Sequence, residues 1–216
     1  MSKRSALADI LHQQGNLEAA RVIFEDAEAM QASNQPKYNR LYSIQGFQYC
    51  DLLLTLGEIE AVCDRAMTTL SWMNNDPNAP LLTIAVDHLS LGCASLNLRK
   101  LEKAKLRFDL AIDNLRNAGE MEFTVRGLLL RAAVFRMMKN FKLAQIDLKE
   151  ARSIARRCGM LLHECDAHLE YARLTLAEGN PDAALSHFRS ADALVTECGY
   201  HRRDPEIAEL KEKLGL

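Results

Sequence analysis

The chain is 216 residues long, 48% hydrophobic and 26% charged, with only five prolines. Such a composition suits a folded, mostly helical protein and argues against a disordered one. A formal net charge of −2 supplies no global attraction to nucleic acid or to an anionic membrane, and no apolar run approaches the roughly 20 residues that a spanning helix requires.

Residues 1–16 hold two basic residues and a broken apolar stretch, without the continuous hydrophobic core of a signal peptide. The expectation is a cytoplasmic protein that does not engage membranes. Its six cysteines are expected to be reduced thiols, because they fall within helical patterns rather than in a short, loop-rich frame.

In chain order, Leu7, Ile10 and Leu11 mark the expected buried face of a first helix, Gly15-Asn16 a turn, and Leu17, Ala20, Phe24 and Ala27 the buried face of a second. A polar segment, Ala32 to Pro36, leads to an expected helix over 38–56, in which Leu41, Ile44, Tyr49, Leu52, Leu53 and Leu56 are the apolar positions. Gly57 closes it. Its partner, 59–72, places Val62, Ala66 and Thr69 where Ala20, Phe24 and Ala27 stand in the first copy. The stretch Asn74 to Pro80 is rich in turn formers and reads as a linker.

Helix pairs 81–98 with 101–118, 123–138 with 141–158, and 161–177 with 181–198 follow. Ala104, Phe108, Ala111 and Gly119 recur in the same spacing as Ala144, Leu148, Ala151 and Gly159, and again as Ala184, Phe188, Ala191 and Gly199. The period, about 40 residues or about 42 around the second copy, lies within the span of about 20 to 50 that marks stacked structural units. The three glycines are placed to end their helices in a left-handed conformation, as Gly179 is, while Asn180 and Pro181 open the next helix as cap and first residue. The last segment, 204–214, carries a narrow stripe of Ile207, Leu210 and Leu214 and is expected to cover the open end of the stack.

The expected fold is thus all-α: a right-handed α-solenoid of antiparallel helix pairs over 1–216 as a single domain. Its copies span about 3–33, 36–75, 78–119, 120–159 and 160–199, with a C-terminal capping helix at 204–214.

Ala184, Phe188 and Ala191, preceded by the Gly179-Asn180 turn and by Ala172, resemble a tetratricopeptide repeat. So do Gly92, Ser95, Arg99, Ala104, Phe108 and Ala111, and likewise Gly15, Ala20, Phe24 and Ala27. The period of about 40–42 exceeds the usual repeat of about 34, and the early aromatic of the first helix is replaced by His88, Leu128 and His168. Tyr49 to Leu54, His88 to Gly92, Leu162 to His168 and Gly199 to Pro205 are also similar to the C-terminal repeat arrays of large bacterial signalling ATPases.

The resemblance implies a non-catalytic scaffold, a regulatory or sensing segment of a bacterial signalling protein, whose first helices line a groove for a protein or peptide. Carried onto this chain, that register points Phe47, Asp51, Leu54, Leu89, Cys93, Arg126, Ala133, Arg136, Asp166, Leu169, Arg173 and Leu176 into the groove. Arg126, Arg136 and Arg173 could hold carboxylates or phosphates, and Asp51 and Asp166 basic groups. The alternative is that these charges pair with one another or stand solvated on a helix face. The Lys and Asn set with which some members clamp a C-terminal carboxylate is not recognisable. A homodimer through the repeat ends is a further expectation.

Other chemistry competes less well. His163, Cys165, Asp166 and His168 crowd within one and a half turns, yet a metal site would need another ligand and the right geometry; histidines packed between helices are the simpler account. Cys158 and Cys198 match each other and Ala118, as though the position asks for a small buried side chain. No base is paired with either thiol by the pattern. Glu25-Asp26 and Glu206 with Glu209 lie on polar faces, and no glycine loop for phosphate is present. Basic runs at Arg99-Lys100-Lys103-Lys105-Arg107 and Arg202-Arg203 are interspersed with acids and lack aromatic interleaving, which does not favour nucleic acid. No catalytic residue, metal or cofactor is expected.

Overall fold

The computed structural model describes residues 2–73 and 78–216, so residues 74–77 of the expected linker lie outside the described residues. The chain forms two compact units, Met1–Glu120 and Met121–Leu216. The first contains α1 (Ser2–Gln13), α2 (Leu17–Asn34), a 3-10 turn (Pro36–Tyr38), α3 (Ser43–Thr55), α4 (Ile59–Met73), α5 (Leu81–Asn97) and α6 (Leu101–Ala118). In the second are α7 (Met121–Met137), α8 (Phe141–Arg157), α9 (Leu161–Ala177), α10 (Pro181–Cys198), a 3-10 turn (His201–Arg203) and α11 (Asp204–Lys213). The fold is all-α and built from antiparallel helix pairs.

One turn joins every pair. Its central residue is left-handed: Gly15, Gly57, Arg99, Lys139 and Gly179 have φ of 80°, 79°, 58°, 60° and 80°. The residue after it donates its N–H to the carbonyl five residues back, as in Asn16 to Leu11 at 2.8 Å, Lys100 to Ser95 at 2.9 Å and Asn180 to Thr175 at 2.9 Å. Paired with the bond three residues back from the central N–H, this is the Schellman closure that satisfies a helix's last carbonyls. The Asn16, Asn140 and Asn180 side chains then accept from the N–H three residues on, at 3.4, 3.4 and 3.1 Å, and cap the next helix.

The repeated small–large–small positions are the core. Ala20, Phe24 and Ala27, Ala104, Phe108 and Ala111, Ala144, Leu148 and Ala151, and Ala184, Phe188 and Ala191 are all buried, as are Val62, Ala66 and Thr69. In the first unit the Phe24 ring stacks on Tyr49 at 5.0 Å. In the second, Leu210 of α11 is fully buried, and Ile207 and Leu214 pack beside it on the cluster containing Cys165, Leu169 and Phe188. The amphipathic terminal helix thus closes the apolar face left by α9 and α10.

Three local expectations are corrected. The buried face of α1 is Ser5, Ala8 and His12, whereas Leu7 and Ile10 are 49% and 55% exposed. The small Ser5 and Ala8 and the bond between His12 Nε2 and Thr55 Oγ1 at 3.0 Å bring α1 close to its neighbours, which rotates the leucine and isoleucine outward; Leu11 packs at the edge of the core.

The helix expected from Tyr38 starts at Ser43. Glu28 on α2 accepts the Leu41 N–H at 2.9 Å and is gripped by both terminal nitrogens of Arg65 on α4, and Arg65 in turn lies 4.3 Å over the Tyr49 ring. The tie holds the approach to α3 out of helical form. At Gly46 a Cβ would stand 2.5 Å from the Leu41 carbonyl oxygen, so the connection can fold this tightly only over a glycine.

The matched positions Ala118 and Cys158 are exposed, and Cys198 is half-buried. Each sits at its helix's end beside the left-handed glycine; Ala118 and Cys158 there face solvent, whereas Cys198 still packs at the edge of the cluster containing Cys165 and Leu169.

Candidate functional site

Two of the four charged residues of the second unit that the resemblance aims into a groove, Arg136 and Arg173, form one network on the first helices and α11. Arg136 of α7 donates to both oxygens of Glu170 of α9, at 2.5 and 3.3 Å. Arg173, one turn on, stands 3.8 Å from Glu170 and 3.6 Å from Glu209 of α11, ion-pair rather than hydrogen-bond distances. Glu209 is also engaged by Lys213 at 2.5 Å. Arg136 is therefore committed in a two-point grip to a buried carboxylate, while Arg173 is held loosely and keeps donor capacity.

Asp166 heads the second cluster. It accepts from Arg203 Nε at 2.8 Å and from the Tyr200 hydroxyl at 3.2 Å. Arg203 also reaches Glu206 at 2.7 Å and lies over the Tyr200 ring at 5.3 Å. Burial pushes the Asp166 carboxyl up, but the adjacent Arg203 guanidinium outweighs it and holds the group below its ordinary value. Burial pushes the Tyr200 phenol up to about 12, against the opposing pull of the Arg203 charge. The result is a latch across α9, the 201–203 turn and the start of α11.

The remaining groove residues are placed as follows. Leu54, Arg126, Ala133 and Leu176 are half-buried on α3, α7 and α9. Phe47, Asp51, Leu89, Cys93 and Leu169 are buried, so their side chains contribute packing rather than open surface in this conformation.

The crowded histidine–cysteine turn disperses. The Cys165 thiol is buried, donates to the Ala191 carbonyl at 3.6 Å, and is pushed up to about 12 by burial. Asp166 is in the latch just described. His168 meets His187 of α10 with 2.9 Å between their Nδ1 atoms; burial, then Arg152 and His187 itself, take His168 down to about 4. His88 does the same in the first unit: it accepts from Arg107 Nη1 at 3.1 Å, and burial and that arginine lower it to about 4. Both histidines are neutral packing residues between the helices of a pair. Among the described residues no three His, Cys, Asp or Glu side chains gather in a metal-binding group.

One feature of the second unit escaped sequence reasoning. Lys149, Arg152, Ser153, Arg156 and Arg157 of α8 line a cleft of about 400 Å³ with Tyr171 of α9. Its signal was legible as cations at i, i+3, i+7 and i+8 on one helix, a face in its own right.

The sequence matches no protein-family model and no curated protein. Among solved structures the chain is similar to the apo form of RapI, with a TM-score of 0.59 at 18% identity, over 98% of this chain and 78% of that one. A likeness at this level concerns the fold alone. The chain has the fold of a helical-repeat protein.

Proposed function

We propose that the chain is a non-catalytic scaffold that binds a protein or peptide along the face of its first helices. The observation that carries the reading is Arg173, which projects from α9 with its carboxylate partners at 3.6 and 3.8 Å and can take up a carboxylate of a partner at little cost in existing bonds. Arg126 of α7 and Leu176 of α9 complete the patch we assign in the second unit; in the first unit, taken by itself, we assign Leu54 of α3 to the first-helix face. Arg136 and Asp166 serve it from behind, by fixing Glu170 and the start of α11.

Support for a role without catalysis comes from the candidate nucleophile and bases: Cys165 is a buried thiol held protonated, and His88 and His168 are neutral and engaged. The five copies form, in this reading, one repeat series over 1–216. Cytoplasmic residence and a regulatory place in bacterial signalling belong to the same proposal, resting on the repeat pattern and the resemblance it carries; no helix among the described residues is long and apolar enough to cross a membrane.

Capture from a bacterial lysate tests it, with the intact chain and an Arg126→Ala/Arg173→Ala variant of equal helicity and melting temperature. A partner retained by the first and lost by the second is the expected result. Equal capture by both would remove the first-helix face from consideration. A copy of the chain as sole partner, seen as a dimer by sedimentation, would point to the repeat ends.

A further inference from the structure

The basic cleft of α8 is not explained by what the repeat requires. Lys149, Arg152, Ser153, Arg156 and Arg157 correspond, in the copy before, to Asp109, Ile112, Asp113, Arg116 and Asn117, and in the copy after, to Arg189, Asp192, Ala193, Thr196 and Glu197. The same structural positions are mixed or acidic in both flanking copies. Four cations at one level of the array are therefore a property of this copy alone.

They are also poorly neutralised. Arg156 stands 3.4 Å from Glu164, and its side chain is 62% exposed. Lys149, Arg152 and Arg157 have no acidic partner among the described residues, and the Arg152 Nε is buried without a hydrogen-bond acceptor. The Arg152 guanidinium is thus held in place by packing and not by an acid of the chain. The floor is fixed: Tyr171 stacks on His187 at 4.8 Å, and His187 meets His168 at 2.9 Å. Both imidazoles are driven toward the neutral form by burial and then by Arg152. The positive charge of the cleft thus resides on its lysine and arginines rather than on the histidines.

We propose that this cleft between α8 and α9 is a second binding site, for an acidic peptide segment in extended form. The proposal rests on the reading of the chain as a peptide-binding scaffold, and it places a separate contact on the second helix of a pair. Lys149 to Arg157 rises about 12 Å along α8, whereas alternate residues of an extended strand repeat about every 6.6 Å. Two or three carboxylates on one edge of a strand therefore meet successive cations. The Ser153 and Tyr171 hydroxyls can donate to the strand's carbonyls. A single phosphate would engage only part of so long a row. Nucleic acid is the less favoured polyanion, because the chain as a whole is net negative and one face of the Tyr171 ring is spent on His187 rather than offered to a base.

Fluorescence anisotropy with the intact chain in about 50 mM salt tests this. The probes are a labelled decapeptide of alternating Glu and Gly, its Lys-Gly counterpart, and a decamer of thymidylate, with inorganic phosphate as competitor. Saturable binding of the Glu peptide alone is expected. It should weaken at least tenfold in Arg152→Gln/Arg156→Gln and at least threefold in Lys149→Ala/Arg157→Ala, whose exposed side chains put the fold at no risk. In the same assay Arg126→Ala/Arg173→Ala should bind as wild type, which separates this site from the first-helix face. Undiminished binding by the Lys149→Ala/Arg157→Ala chain, tighter binding of the oligonucleotide, or full displacement by millimolar phosphate would each overturn the proposal.

Discussion

Gly92 on α5 faces the ring of Phe108 on α6 so closely that a Cβ at residue 92 would lie 2.4 Å from Cε1 and 2.7 Å from Cδ1. The matching first-helix positions are Cys50, Ala132 and Ala172, so the repeat tolerates a small side chain elsewhere; the third pair has closed down upon its absence. Gly92→Ala should force the buried Phe108 ring aside and destabilise the first unit by about 1–3 kcal/mol. Urea unfolding followed by circular dichroism reads the change. A shift below a few tenths of a kcal/mol would mean that the two helices separate without cost.

Lys139 holds the left-handed place that glycine fills in three other turns. A side chain there costs about 1–2 kcal/mol, part of which glycine returns as unfolded-chain entropy. Lys139→Gly should therefore raise stability by about 0.5–1 kcal/mol, and Gly179→Ala should lower it by a similar amount. Opposite signs in thermal denaturation are the signature; equal signs would exclude turn strain as the cause.

Asp87 on α5 is buried, with Oδ1 accepting from the Thr69 hydroxyl at 2.8 Å and Oδ2 lacking a partner. Burial raises its carboxyl from 3.8 to about 7. Because the folded state holds this proton more tightly than the unfolded chain, its contribution to stability is complete below about pH 4 and is lost as pH rises to about 7. At about 1.4 kcal/mol for each unit of difference, the loss is of the order of 4 kcal/mol. Asp87→Asn should flatten stability between pH 4 and pH 8 and exceed wild type at pH 8. Parallel pH profiles for the two proteins would show that the carboxyl titrates normally.

Asp166 behaves in the opposite sense. Its folded-state value lies below 3.8, so the latch stabilises above the unfolded value and weakens as pH falls through the folded one. Asp166→Asn should cost about 2–3 kcal/mol and should speed amide exchange in residues 204–213 more than in α8. Unchanged exchange there would show that Leu210 alone secures α11.

Periodicity made the pairs, the buried small–large–small positions and the glycine-ended helices legible, because each depends on residues close in sequence and recurs three times or more. What periodicity could not supply was rotation and long-range pairing. Leu7 and Ile10 read as buried because apolar spacing does not reveal that Ser5 and Ala8 bring α1 closer to its neighbours. The late start of α3 depends on Glu28 and Arg65, 37 residues apart. Likewise, Arg136 and Arg173 were visible as candidates, but Glu170, which joins them, was not. The α8 cleft was hidden by the repeat itself: attention to what the copies share passes over what one copy alone carries.

The identical three-residue turn within every pair, set against connections between pairs that run from two residues at 119–120 to eight at 35–42, sorts the chain into rigid cassettes and adjustable joints. Length can be inserted or deleted at the joints while each cassette keeps its internal register. A pair such as 161–198 is accordingly the portion that could be duplicated or exchanged whole, and the left-handed turns mark where the chain should not be cut.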